Sequence, residues 1–255
     1  MSAAIADLHP ATVLRLAGTR RLGRPIVLLE RAGSTNDVAT AAAAAGVAGG
    51  ALFVAASQTA GRGRAGRRWI DPGGGLFFSL LLRPARIPEG LTCLFGLAAL
   101  RAIDRFAPGG AVKWPNDLMI GGRKAGGILA ESTGDVVVVG MGLDVDAAPA
   151  RLAGLVDVPA VSLAEAAGRP IGRGEALAAI LSSVEEAYDA WERDGFASFR
   201  EAYEKRMIWR GERVTAGGET GRLVGVDDRG CLVLETKTGR RAVAAGDLSL
   251  RKEKT

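Results

Sequence analysis

The chain changes character after Met207, and this break limits what it can fold into more than any other feature. Upstream, strand-like runs alternate with helical stretches that are apolar on one face. Downstream, only short β-prone segments remain, around Arg213 and over 222–226, 231–235 and 241–244. Gly217-Gly218, Asp227-Asp228-Arg229-Gly230 and Thr238-Gly239 separate them with turn residues. Strands this short at this spacing predict a small β-barrel of about 50 residues. The boundary lies near Ile208, so 25–207 reads as one α/β unit and 208–255 as the β unit. Residues 1–24 read as a short leader with at most one helical segment, over 11–17.

Within the α/β unit, 26–30 reads as a strand, and Ser34-Thr35-Asn36-Asp37 supplies N-cap chemistry for an alanine-rich helix ending at Gly46. Further strands are expected over 52–57 and 75–83, the second stopped by Pro84. Leu91, Leu94, Phe95, Ala98 and Ala102 share one face of a helix over 91–106. Short strands follow over 111–114, 118–120, 127–131 and 136–145, with Gly121-Gly122 as a hairpin turn. Ser162 and Glu165 form a capping-box pattern. A longer helix over 175–193 places Leu177, Ile180, Val184 and Trp191 on one face, and a helical pattern continues to about residue 206.

Composition removes several function classes. A chain that is 48% hydrophobic and 24% charged is not generally disordered. Its two cysteines, Cys93 and Cys231, have no paired spacing, which argues against a disulfide framework, a zinc ribbon or an iron–sulfur site. With His9 as the single histidine, there is no basis for a Ser-His-Asp or Cys-His hydrolase or a His-rich metal site. The uncharged run 38–61 is long enough to span a bilayer. Its alanine and glycine content, with Ser57 and Gln58 inside it, predicts a helix, a turn and a strand instead. The first 20 residues carry Asp7 and His9 and no continuous apolar region, so the expectation is a cytoplasmic protein.

The net charge of +5 is unevenly placed: nine arginines face three acids in the first 70 residues, a local charge of +6. Four of those arginines fall in Gly61-Arg62-Gly63-Arg64-Ala65-Gly66-Arg67-Arg68. This matches GxGxxG after a strand but is not a dinucleotide fingerprint, because a loop rather than a helix follows. Its glycines leave backbone N–H groups open, and its guanidinium groups offer planar forks to phosphate oxygens. A solvated basic loop is the plain alternative; Trp69 beside the arginines, able to stack on a base, favours ligand binding. Mutual repulsion predicts that the loop is mobile until an anion neutralises it. Lys113-Trp114-Pro115-Asn116-Asp117 sets an amide and a carboxylate at a strand end, where ordinary turn chemistry is the alternative. Lys124, among the glycines of 121–127, reads as a ligand-facing lysine or an exposed turn lysine.

In order along the chain stand Ser34-Thr35-Asn36, Gln58 with the glycine-arginine loop and Trp69, Lys-Trp-Pro-Asn-Asp, Arg123-Lys124-x-x-Gly-Ile-Leu-x-Glu131, and Gly140-Met141-Gly142-Leu143. The set resembles the biotin–protein ligase family of the bacterial type, over roughly 25–250 and including a closing Gly246-Asp247-Leu248-Ser249-Leu250-Arg251. The resemblance implies an α/β (α+β) fold: a mixed-sheet catalytic domain of the biotin/lipoate ligase type with a C-terminal SH3-like β-barrel. It implies two half-reactions. Biotin and ATP, carried with Mg2+, give biotinyl-5′-AMP, and a lysine of a biotin carboxyl carrier domain of acetyl-CoA carboxylase or a related carboxylase then takes the biotin. A lipoyl- or octanoyl-transferring relative shares this architecture, but the glycine-arginine loop argues against it. A basic nucleic-acid-binding module is the non-enzyme alternative, and the near-neutral remainder of the chain speaks against it.

By position, the resemblance places Ser34, Thr35, Asn36, Gln58, Arg62, Gly63, Arg64, Lys124 and Gly127 against biotin. It places Arg62, Arg64, Arg67, Trp69, Asn116 and Lys124 against the nucleotide. Lys124, Arg62 and Asp117 are the expected catalytic residues, with Lys124 bridging carboxyl and phosphoryl oxygens and Asp117 orienting the acceptor lysine. No metal ligand and no redox cofactor is expected, and the chain is expected to be a monomer or homodimer. Asp144 stands where the family often has asparagine and is left out of the expected site. The 25 or so residues before the first strand are too few for a helix-turn-helix domain, so no operator binding, and no specific nucleic acid or membrane partner, is expected.

Overall fold

The computed structural model describes residues 3–71, 73–146, 159–245 and 250–252; of the closing segment, Gly246 to Ser249 lie outside the described residues. The upstream elements are α1 (Ala3–Ala6), α2 (Pro10–Ala17), β1 (Ile26–Leu29), α3 (Thr35–Ala44), β2 (Leu52–Ala55), β3 (Gly75–Leu82) and α4 (Leu91–Ile103). They continue with β4 (Gly110–Lys113), β5 (Asp117–Ile120), β6 (Arg123–Thr133), β7 (Val136–Asp144), α5 (Leu163–Ala167), α6 (Arg173–Asp194) and α7 (Arg200–Glu204). The tail forms β8 (Arg213–Ala216), β9 (Glu219–Val226), β10 (Leu232–Thr236), β11 (Gly239–Val243) and β12 (Arg251–Lys252).

Strands β1 to β7 make one mixed sheet in the order β1-β2-β3-β7-β6-β5-β4. Only β1 and β2 run parallel; the other described pairs are antiparallel. Side chains alternate across this sheet. Leu76, Phe78, Leu80 and Leu82 of β3, with Val137, Val139, Met141 and Leu143 of β7, enter the main core with α4 and α6. On the opposite face, Leu81, Val138 and Phe53 pack against Ala39 of α3 in a smaller cluster. That second face carries the site. The apolar run of β3 is buried along its whole length because helices cover both sides.

The tail is a five-stranded antiparallel sheet, order β11-β10-β9-β8-β12, the SH3-like unit expected downstream of Met207. It is fastened to the larger unit by Trp114, whose Nε1 donates to the Gly230 carbonyl at 3.0 Å. The Arg229–Glu89 and Arg210–Glu204 ion pairs join it there.

Two local expectations shift. The stretch read as a leader with at most one helix holds two, α1 and α2, and Leu8, Val13, Ala17 and Leu22 lie in the main core against α6. The strand expected over 127–131 begins at Arg123, directly after the Gly121-Gly122 turn, whose φ values are 56° and 75°. Lys124 therefore sits in β6, not in a turn.

Candidate active site

One cavity of about 380 Å³ opens on the α3 face of the sheet. Every residue expected at the site lines it: Ser34, Thr35 and Asn36; Gln58; Arg62, Gly63, Arg64, Arg67 and Trp69; Asn116 and Asp117; Lys124 and Gly127. The strands dictate this convergence. Residues opposite one another in an antiparallel ladder share a face, and Gly127 pairs with Gly142, Leu129 with Gly140, and Gly140 in turn with Ser79. These residues form the floor, and its glycines leave room for what lies above.

The first turn of α3 covers one end. A Cβ on Gly140 would stand 2.0 Å from Asn36 Oδ1, so only glycine admits that side chain. Ser79 Oγ lies 2.7 Å from Thr35 Oγ1 and 2.6 Å from Asn36 Oδ1. Gln58 Oε1 accepts from the Thr35 backbone N–H at 2.7 Å, which leaves its amide donors as what it offers a ligand. Ser34 takes the N-cap position of α3 with extended backbone, but its hydroxyl makes no capping bond and lines the cavity instead.

The glycine-arginine loop folds over the other end as a narrow lid. Gly63 N–H donates to the Arg67 carbonyl at 2.7 Å, and Trp69 N–H to the Gly61 carbonyl at 2.8 Å. The Trp69 indole then lies flat on the floor: a Cβ on Gly142 would meet its Cε2 at 2.8 Å, and one on Gly127 its Cζ3 at 3.1 Å. The expected repulsion among the arginines is relieved by acids distant in sequence. Arg62 pairs with Asp37 at 2.9 Å and with Glu131 at 2.8 Å, and the same Glu131 oxygen accepts from Asn36 Nδ2 at 2.6 Å. Arg64 reaches the Ala245 carbonyl of the β unit.

Between these ends, Lys124 Nζ lies 2.6 Å from Asp117 Oδ1 and 5.4 Å from the centre of the Trp69 ring. Plain alternation would put Lys124 and Gly127 on opposite faces of β6. The register shift between Leu118 and Met119 inserts one extra residue and reverses the alternation, so Lys124 faces the cavity. Asn116 is fixed by Nδ2 donating to the Ile128 carbonyl at 2.9 Å while its own carbonyl accepts from the Ile128 N–H at 3.0 Å.

Lys113 and Asp144 also line this cavity, although neither is among the residues expected at the site. Lys113 lines it and packs its ammonium 5.2 Å from the Trp209 ring; burial pushes its pKa down. Glu131 does not line the cavity but bonds two residues that do, Asn36 and Arg62. Asp144, set aside because it departs from the family pattern, is 3% exposed and lines the cavity. Burial pushes its pKa up to about 7, with Lys124 opposing the shift and Asp71 adding to it. Among the described residues no cluster of three or more His, Cys, Asp or Glu side chains could hold a metal, and no helix is long and apolar enough to cross a membrane.

Chemically, this is a site for an anion and a flat ring: fixed cations, backbone donors and an aromatic lid over a glycine floor. Residues 28–146 match the Biotin/lipoate A/B protein ligase family, and 211–251 match the Biotin protein ligase C terminal domain. A biotin--[acetyl-CoA-carboxylase] ligase of Paracoccus denitrificans is 34% identical over 87% of this chain and 98% of its own length. The chain belongs to the biotin protein ligase family. Another relative, the bifunctional ligase/repressor BirA of Bacillus subtilis, is 32% identical over 91% of this chain and 76% of its own length. The biotin protein ligase of Aquifex aeolicus in complex with biotin and ATP superposes with a TM-score of 0.80. It is 31% identical, covering 90% of this chain and 100% of that one. Both units of this ligase-family chain, the mixed α/β sheet and the SH3-like tail, are thus those of biotin protein ligases.

Proposed function

We propose that this chain is an ATP-dependent biotin–protein ligase that makes biotinyl-5′-AMP and passes biotin to one lysine of a biotin carboxyl carrier domain. The observation that carries the reading is the Lys124–Asp117 pair under the Trp69 and Arg62 lid, beside the Ser34-Thr35-Asn36 end of the same cavity. In the first half-reaction a biotin carboxylate oxygen attacks the α-phosphorus of ATP, supplied with magnesium as part of the substrate, and pyrophosphate leaves. Two anions must approach, so the barrier is electrostatic. Lys124 turns from Asp117 to the bridging oxygens, and Arg62, Arg64 and Arg67 face the phosphates.

The Asn36 end, with Ser34, Thr35 and the Gln58 amide, receives the biotin ring system, and Gly63 and Gly127 let backbone and ligand come close. Trp69 and Asn116 flank the nucleotide. The lid excludes water, which would otherwise hydrolyse the mixed anhydride. In the second half-reaction the acceptor amine attacks the acyl carbon, the acyl–phosphate bond breaks and AMP leaves. Asp117 orients that amine and takes its proton once Lys124 has moved to the ligand. The tail unit, contacted by Arg64 and Trp114, stands next to the lid and borders the path of the carrier domain.

The test is transfer of labelled biotin, with ATP and magnesium, from the full chain to a biotin carboxyl carrier domain. Acid-stable label on the carrier supports the reading. No label from biotin, or transfer of lipoate in its place, rejects it.

A further inference from the structure

Strand β7 presents Gly140, Gly142 and Asp144 in succession on the cavity face. Gly140 lies beneath Asn36 and Gly142 beneath the Trp69 ring, so Asp144, the next residue on that face, belongs to the Trp69 end. Its carboxyl group is buried, and its Oδ1 has no hydrogen-bond partner. A buried acceptor without a donor is costly, and here it borders a space a ligand can fill. The charged groups around it are Lys124 from β6 and Asp71 from the segment before β3. Arg173 of α6 bonds the carbonyl of Gly75, the residue that pairs with Asp144, and Asp146 follows two positions on.

We propose that Asp144 receives the nucleotide as a neutral carboxylic acid, so that ATP binding draws one proton from solvent onto this side chain. Two arguments converge. First, an ionised carboxylate only accepts hydrogen bonds and, buried as Asp144 is, would face a polyphosphate anion with little water of its own; the neutral acid offers a donor and an acceptor side by side, as an amide does. Second, Lys124 is the cation that supports the ionised form, and ligand phosphates compete for it. Its ionisation already lies near neutrality without ligand, so modest added negative charge completes the protonation.

The inference rests on the nucleotide-site reading above, and its test separates the two. Binding of the non-reacting analogue α,β-methylene-ATP to the full chain, with magnesium and saturating biotin, is measured calorimetrically from pH 7 to 9. Two buffers of different ionisation enthalpy are used, with the native protein and Asp144→Asn side by side. The native protein should take up a proton that Asp144→Asn does not, approaching one per site at pH 8 to 9. Its affinity should fall by up to about tenfold per pH unit over that range relative to the variant. Equal proton uptake and parallel pH profiles, with the analogue bound by both, overturn this role for Asp144 alone. No analogue or biotin binding by either protein overturns the nucleotide-site reading as well.

Discussion

Lys124 and Asp117 form an ion pair inside the cavity, Nζ to Oδ1 at 2.6 Å, across the bulged pairing of β5 and β6. The pair stores a cation where phosphate charge will develop and shields a carboxylate until that cation leaves. Lys124→Ala should slow adenylate formation, read as pyrophosphate release, by about 10²-fold or more, the scale of losing one fixed electrostatic donor. Asp117→Asn should slow biotin transfer from preformed adenylate more than it slows pyrophosphate release. An unchanged pyrophosphate rate in Lys124→Ala would remove that residue from the chemistry.

Glu131 ties the lid to the first turn of α3 by binding Arg62 and Asn36 with one oxygen. The ion pair is solvent-accessible, so its worth is about 0.2–1 kcal/mol, enough to change the ratio of closed to open lid by about 1.4- to 5-fold. Trypsin should therefore cut after Arg64, Arg67 or Arg68 faster by that factor in Glu131→Gln than in the native chain. Biotin with ATP should suppress cutting in both. Equal rates in the two ligand-free proteins would show that the ion pair does not hold the lid.

The glycine floor admits a graded test. Neither Gly140 nor Gly142 has a positive φ, so alanine suits the backbone and any effect comes from the added methyl group. At Gly140 that group would collide with Asn36, and at Gly142 with the Trp69 ring. Overpacking of this kind costs about 1–3 kcal/mol. Gly140→Ala should weaken biotin binding and Gly142→Ala nucleotide binding, each by about tenfold or more in titration calorimetry. The opposite pattern would reverse the orientation assigned to the two ends.

Asp144 also makes stability depend on pH. Its pKa in the fold, about 7, lies above that of an unfolded aspartate. The folded state therefore holds this proton more tightly, and the contribution is fully present below about pH 4 and lost as pH rises through 7. Asp144→Asn removes the dependence. Thermal melts should show the variant gaining on the native protein between pH 5 and pH 8.5, by roughly 1–4 kcal/mol at the upper end. A difference between the two melts that stays constant with pH would show that Asp144 does not titrate in this range.

Trp114 joins the two units through its Nε1 bond to the Gly230 carbonyl. Trp114→Phe deletes the donor and leaves the buried carbonyl with only the weak Cys93 Sγ donor at 3.8 Å, at a cost of about 1 kcal/mol. The melting midpoint should drop, with biotin binding retained by the larger unit. An unaltered midpoint would show that the other contacts between the units suffice.

The sequence by itself determined the two units, the order of most strands and helices, and, through a family resemblance, many of the residues around the cavity. Those properties are local or additive. Turn residues, alternation and helical periodicity show in a few neighbouring positions, and the segments from Ser34 to Gly142, each open to a plain alternative alone, become distinctive as an ordered set. Tertiary structure decided how they meet. Lys124 faces the cavity because a register shift between two paired strands reverses its side, and a strand's own alternation contains no sign of a bulge that its partner defines. The arginine loop is compensated by Asp37 and Glu131, and the cost of bringing like charges together depends on groups that only folding brings near. Trp114, read as part of a site motif, joins the two units, and residues 8–22, read as a leader, complete the core against α6. Asp144 is the sharpest case: its identity was plain in the chain, but a carboxylate becomes a proton-holding group only where burial withdraws its water, and burial belongs to the fold.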